Sequence, residues 1–339
     1  MKAAFMTAPN RIEVMDAPTP QPQAGEVLLA VKAVAICASD IHIFEYGHSS
    51  GVYPTGPLIL GHEFSGQVAQ LGPDVTDLQV GDRVACEPSW HCGHCDMCLQ
   101  GLTNLCRNVV FPSFPDTNGA MAEYIVTPAH ALCKLPDHVS YEAGALVEPL
   151  GVGLHAVRLS GLQKGQDVAI LGAGAIGVAI LDVCLWWGAQ KLYMVEPLPG
   201  RQAFPEKLGA QVFDSAQQLQ ATLETDGSHP AVVFEAAGAP TSFAEAMPLV
   251  RPAGTAVIVG IPEPDEQLFQ ASIPRRKELT VQFSRRSRDT LEDGVALAAA
   301  NQIHLEQYPT RQFTLDQAAE AMQAAIEKQG DMIRTIVAP

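Results

Sequence analysis

Val168-Ala169-Ile170-Leu171-Gly172-Ala173-Gly174-Ala175-Ile176-Gly177 runs from an apolar stretch of strand length straight into a glycine turn. From Val168 to Trp187 the only charge is Asp182, so the window is long and apolar enough to imitate a membrane span. Glycines at 172, 174 and 177 and the pair Trp186-Trp187 break that likeness, and the run reads as a buried strand, a tight turn and a buried helix. The pattern is G-x-G-x-x-G, with Ala175 and Ile176 inside it. Its glycines permit close backbone approach, and the helix start offers free N–H groups to a pyrophosphate. Glu196 closes the next strand, nineteen residues after Gly177. A carboxylate there accepts hydrogen bonds from a ribose diol and repels a phosphate on that ribose, so the expected cofactor is NAD. Arg201 is the nearby residue that would favour NADP.

Outward from this element the rhythm continues as strand and helix. Lys191 to Val195, Val232 to Phe234 and Ala256 to Val259 are apolar runs separated by helix-length segments, the pattern of a parallel sheet covered on both faces. The first 150 residues read differently, as short β-like runs punctuated by Pro and Gly. Near the end, Thr314-Leu315-Asp316-Gln317 has capping-box spacing before an Ala-rich helix to about Lys328, closed by Gly330. The last run, Ile333 to Val337, has no partner in the α/β section and is expected to return to the first domain. The predicted domains are 1–150, 151–286 and a return segment 287–339.

With 21 basic and 37 acidic residues among 339, the net charge is −16, which disfavours nucleic acid and anionic membranes as partners. At 47% hydrophobic and 17% charged residues, the composition is that of a compact globular chain. Met1 to Pro9 lacks the apolar core of a secretory signal, so a cytoplasmic protein is expected. Its eight cysteines are then unlikely partners in disulfides.

Four of them, Cys92, Cys95, Cys98 and Cys106, fall within fifteen residues at chelate-sized gaps. The spacing predicts a closed, structural zinc site in a lobe at about 86–110. A second set is dispersed: Cys37, His62, Glu63 and Glu148. A thiolate, an imidazole and a carboxylate make the three-ligand set of a zinc whose fourth place stays open to substrate, and Asp40 could orient His62.

The combination resembles the zinc-dependent medium-chain dehydrogenase/reductase family, and within it the polyol (sorbitol) dehydrogenase branch. The matching stretches are Cys37-Ala38-Ser39-Asp40-Ile41-His42, Gly61-His62-Glu63, Val80-Gly81-Asp82-Arg83-Val84, the four-cysteine lobe, Ala122-Glu123-Tyr124 and Gly144-Ala145-Leu146-Val147-Glu148-Pro149-Leu150. The resemblance implies an α/β chain with a GroES-like β-rich catalytic domain, built from both chain ends, around a Rossmann doubly wound parallel-sheet domain. It implies catalytic zinc ligation by Cys37, His62 and either Glu63 or Glu148. Ser39 matches the hydroxyl that takes the substrate proton and His42 a position that passes it to solvent, as hydride moves to the nicotinamide in a cleft between the domains. A small-molecule alcohol substrate and a homodimer or homotetramer are implied.

Two departures narrow the substrate reading. Ile43 stands where polyol dehydrogenases tend to have tyrosine, and Ser284-Arg285-Arg286 replaces an arginine-tyrosine pair. If Arg285 and Arg286 lie on a strand, they point to opposite faces and at most one meets substrate. Threonine dehydrogenases share much of the pattern, so an amino alcohol is the alternative substrate. A zinc-independent reductase of activated double bonds does not need Cys37, His62 and Glu148, and a dinucleotide-binding protein without turnover does not need the relay residues.

Overall fold

The computed structural model describes residues 1–48, 51–262, 265–328 and 330–339. The chain divides into two units, Met1–Glu148 with Leu291–Pro339, and Pro149–Thr290. The division falls inside the helix Tyr141–Ser160, between Glu148 and Pro149.

The first unit is β-rich, as its punctuated sequence predicts. Its larger sheet runs in the order Thr310–Thr314, Arg334–Ala338, Glu26–Ala35, Glu63–Leu71, Arg83–Cys86, Leu132–Lys134, with Tyr124–Pro128 also paired to Glu26–Ala35. Strand Glu26–Ala35 is the hub. It pairs antiparallel with Glu63–Leu71, with Tyr124–Pro128 and with Arg334–Ala338, so its polar backbone is satisfied on both edges while seven of its ten residues are buried. A smaller antiparallel sheet joins Arg11–Asp16, Lys2–Ala8 and Leu58–Ile59. The core between them includes Leu29, Leu60, Phe64 and Met121, each under 2% exposed, and takes Ala318, Ala321 and Met322 from the C-terminal segment. The return predicted for the last strand therefore occurs.

The C-terminal helix Ala318–Glu327 follows the Thr314–Gln317 capping box. It ends one step earlier than expected: Lys328, in the left-handed conformation at φ 49°, closes it rather than Gly330, and Gln329 lies outside the described residues.

The second unit is a six-stranded parallel sheet in the order Gln211–Phe213, Leu192–Val195, Val168–Leu171, Val232–Glu235, Thr255–Ile258, Thr280–Phe283. Numbered within the unit this is 3-2-1-4-5-6, the doubly wound order whose chain reversal leaves a ligand crevice beside the first strand. The first four strands in chain sequence other than the short Gln211–Phe213 are buried almost throughout, which explains their continuous apolar runs. Among the described residues no helix is long and apolar enough to cross a membrane.

Arg285 and Arg286 do not lie on a strand. The edge strand stops at Phe283, Arg285 is exposed, and Arg286 takes φ 55°, so the alternation of faces expected for this pair does not apply. The chain leaves the sheet here and has no pleat to orient side chains.

The capping box is a direct test of how the return segment is held. Thr314→Ala should lower stability by about 1 kcal/mol, the usual worth of such a cap. A denaturation midpoint equal to that of the unaltered protein would show the helix start to be held by packing alone.

Candidate metal centres and dinucleotide turn

The dispersed residues meet because of strand register. Ala35 pairs with Glu63 on one side and with Ile336 on the other. Cys37, two residues past Ala35, thus arrives beside His62 and Glu63 at the start of the neighbouring strand, and Arg334 arrives from the chain end. The ligand atoms of Cys37, His62 and Glu63 lie within 4.8 Å of one another, a span that one small cation can bridge.

Cys37 caps the helix Ala38–Tyr46. Asp40 in its first turn is wholly buried; its Oδ2 accepts the Cys37 N–H at 3.0 Å and its Oδ1 accepts the Gly61 N–H at 3.1 Å. The same Oδ1 lies 3.4 Å from Nδ1 of His62, and Ser113 Oγ lies 3.0 Å from that nitrogen. Burial works against the charged imidazole, but Asp40 and Cys37 outweigh it and raise the proton affinity of His62 well above the usual range. A field that holds a proton so firmly also attracts a metal cation.

Glu63 is fully buried, with Oε1 paired to Arg334 Nη2. Its Oε2 has no hydrogen-bond partner among the described residues. An orphaned carboxylate oxygen in the core is costly unless something cationic meets it, so the donor set fits zinc. Glu148 also lies in this pocket but is not one of the three converging donors. Burial, and then the neighbouring Glu63, push its carboxyl up to about 8.

Ser39 and His42 stand one turn apart on the helix that Cys37 caps, and both are half-buried. The His42 ring packs 4.7 Å from Tyr46 and 5.6 Å from His48. Ile43 turns into the core at 4% exposure, so it belongs to the packing beneath the helix.

The four cysteines of the lobe come together, their sulfurs within 4.8 Å of one another. Cys95 and Cys98 Sγ lie 3.5 Å apart, Cys92 and Cys106 3.6 Å, and Cys95 and Cys106 3.9 Å. A regular tetrahedron of sulfurs around zinc, at about 2.3 Å per bond, has edges of about 3.8 Å. The N–H groups of Cys92 and Asn108 point at Cys106 Sγ from 3.3 and 3.4 Å. Arg107 clamps Asp96 with two hydrogen bonds of 2.6 and 2.7 Å across the lobe.

In the second unit Gly172 takes φ 95°, and a Cβ on Gly177 would sit 1.8 Å from the Gly172 carbonyl oxygen. Only glycine lets the helix Ala175–Trp187 start against the strand. A Cβ on Gly174 would meet nothing within 4 Å, and this N-cap offers no side-chain acceptor to the first N–H groups of the helix, a setting that a pyrophosphate fits. Glu196 is only 4% exposed. Its Oε2 accepts the Ala173 N–H at 2.8 Å and its Oε1 the Leu198 N–H at 2.9 Å, tying the glycine turn to the end of the next strand. Arg201 lies in the short turn Pro199–Arg201 beyond it.

Arg334, Ser113 and Phe111 were not singled out from sequence. An arginine inside the apolar run Ile333 to Val337 is a signal in itself, since an unpaired charge does not belong in a buried strand. The other two lie in a loop whose partners only the fold supplies.

Comparison with known proteins shows the family. Residues 23–137 match the alcohol dehydrogenase GroES-like domain, and residues 175–300 match the zinc-binding dehydrogenase domain. The sorbitol dehydrogenase of Bacillus subtilis is 33% identical over 343 residues, covering 100% of this chain and 97% of that protein. Sorbitol dehydrogenase 1 of Saccharomyces cerevisiae is 33% identical, covering 92% of this chain and 90% of that one. An Escherichia coli oxidoreductase of unknown specificity superposes with a TM-score of 0.94 at 31% identity, covering 99% and 98% of the two chains. A Sinorhizobium meliloti zinc-binding dehydrogenase bound to NADP (TM-score 0.91, 27% identity, covering 100% and 99%) and an Escherichia coli alcohol dehydrogenase complexed with NADH (0.92, 26%, covering 100% and 99%) share the fold.

The electrostatics of Glu148 give a test on metal-free protein. A carboxyl whose pKa is raised to about 8 in the folded state stays protonated there, while the unfolded chain releases the proton near 4.5. Its contribution is complete below about 4.5 and is lost as the pH rises through 8. Chelator-treated protein should therefore lose thermal stability from about pH 5 to 8, and Glu148→Gln should flatten that slope. Parallel melting curves for the two proteins across this range would show that Glu148 is already ionised.

Proposed function

The chain belongs to the zinc-dependent medium-chain dehydrogenase family, and we propose that it oxidises a secondary alcohol of a small polyhydroxylated molecule with NAD as hydride acceptor. The observation that carries the reading is the convergence of Cys37, His62 and Glu63 around an orphaned carboxylate oxygen. These three would hold zinc, with Glu148 beside them. Bound zinc would polarise the substrate hydroxyl, and NAD would supply the redox capacity.

The chain's own residues do the rest. Ser39 Oγ takes the hydroxyl proton, and the His42 imidazole, one helical turn on, passes it toward solvent. Asp40 and the amides of Cys37 and Gly61 keep the ligand-bearing segments together. The turn at Gly172, Gly174, Ala175, Ile176 and Gly177 would seat the cofactor pyrophosphate, and Glu196 would receive the ribose diol. Cys92, Cys95, Cys98 and Cys106 would hold a second zinc with four thiolates, which would shape the lobe without taking part in turnover.

The sorbitol dehydrogenases among the relatives support a polyol substrate. All eight cysteines are free, which suits a reducing cytoplasm. Among the described residues the sheet edge Thr280–Phe283 pairs only with Thr255–Ile258, and Phe283 at its end is 65% exposed. An open edge of this kind is best covered by a second copy, in a homodimer or homotetramer.

A screen of polyols, cyclitols, amino alcohols and sugar acids with both cofactors tests the reading. The highest kcat/KM should fall on a secondary alcohol of a polyol with NAD, with poor turnover of ethanol. Glu196→Ser should move the preference toward NADP. Metal analysis should find two zinc ions per chain, and one in His62→Ala. Absence of turnover in protein holding both zinc ions, or a wild-type preference for NADP, would refute the corresponding part.

A further inference from the structure

Phe111-Pro112-Ser113-Phe114 forms a tight turn in which the Phe114 N–H donates to the Phe111 carbonyl at 3.2 Å. Proline holds φ near −65° at the second position, and Ser113 takes φ 65° at the third, so the turn is of type II. That third position favours glycine or asparagine, because a Cβ in the left-handed region crowds the following carbonyl. Serine is strained there, and strain of this kind persists where the side chain is needed.

The side chain of Ser113 is 1% exposed, so solvent has no claim on it. Its Oγ lies 3.0 Å from His62 Nδ1 and 3.1 Å from Asp40 Oδ1. An ionised carboxylate only accepts, so the hydroxyl donates to Asp40 and must accept from the imidazole, which puts the proton on Nδ1. Asp40 is held at 3.4 Å from Nδ1, too far for a full hydrogen bond, because Cys37 and Gly61 anchor both its oxygens. Ser113 closes that gap. Phe111, the first residue of the same turn, packs its ring 4.9 Å from the His62 ring at 52°. One turn therefore grips the imidazole by its edge and by its flank.

We infer that Ser113 is a positioning residue for His62: it fixes the Nδ1–H tautomer, leaves Nε2 as the free lone pair, and aims that lone pair at the site shared with Cys37 and Glu63. The inference rests on the reading of His62 as a zinc ligand. Partners that orient a metal-bound histidine are typically worth about 10- to 100-fold in metal affinity.

Ser113→Ala and Ser113→Gly separate the hydroxyl from the backbone. Both lose the hydroxyl, while glycine also removes the strain at φ 65°. We expect both to release the metal of this site to a chelator about tenfold faster than the unaltered protein. Both should shift the visible bands of the cobalt-substituted enzyme in the same direction, although Ser113→Gly melts no lower than the unaltered protein. Release rates and cobalt bands unchanged in both variants would overturn the inference. So would a change confined to Ser113→Gly, which would place the effect in the turn and not in the hydroxyl. His62→Ala is the control: if it loses the metal while both Ser113 variants keep it as before, only the role of Ser113 fails, whereas a His62→Ala protein that keeps both metals overturns the ligand reading and this inference with it.

Discussion

An imidazole and two carboxyl groups are buried together beside a half-buried thiol, and the Arg334 guanidinium pairs with one of them, Glu63. Taking a charge out of water costs roughly several kcal/mol even after the surroundings relax, so such a cluster persists only when opposite charge comes with it. Arg334 supplies part of that charge through Glu63, and the neighbouring carboxylates hold the guanidinium charged in spite of its burial. The remaining demand is visible as the orphaned Oε2 of Glu63 and the raised proton affinities of His62 and Glu148. A cation in the site relieves all three at once.

The constraint reaches the architecture because Arg334 lies 271 residues from Glu63 in the chain. The final strand must cross to the hub strand Glu26–Ala35 for the charges to meet, and the pairing of Ile336 with Ala35 brings it there. The helix Ala318–Glu327 and the strand Thr310–Thr314 pack or pair with that strand, so the closing segment of the fold and the charge balance of the site depend on each other.

The dinucleotide unit meets a different demand with backbone instead of charge. The glycine N-cap leaves the first N–H groups of the helix without a side-chain acceptor, and Glu196 braces the turn through the Ala173 amide. A carboxylate with two accepted bonds still has lone pairs for a ribose diol. The same side chain thus serves the architecture of the turn, a role that could not be read from its position at a strand end.

The sequence by itself determined the features governed by local periodicity and spacing. Apolar runs alternating with helix-length segments gave the parallel sheet, G-x-G-x-x-G after a strand gave the turn, four cysteines in fifteen residues gave the lobe, and Thr314 to Gln317 gave the last helix its start. Each of these is encoded by residues a few positions apart. Tertiary structure alone decided which distant residues share a site, because that depends on strand register. It placed Glu63 rather than Glu148 among the converging donors, brought Arg334 to Glu63, set Ser113 between His62 and Asp40, and took Arg285 and Arg286 off the strand that would have oriented them. A shift of one residue between Glu26–Ala35 and its neighbours would turn Glu63 and Arg334 to the opposite face, and these partners lie too far apart in the chain for a local pattern to bring them together.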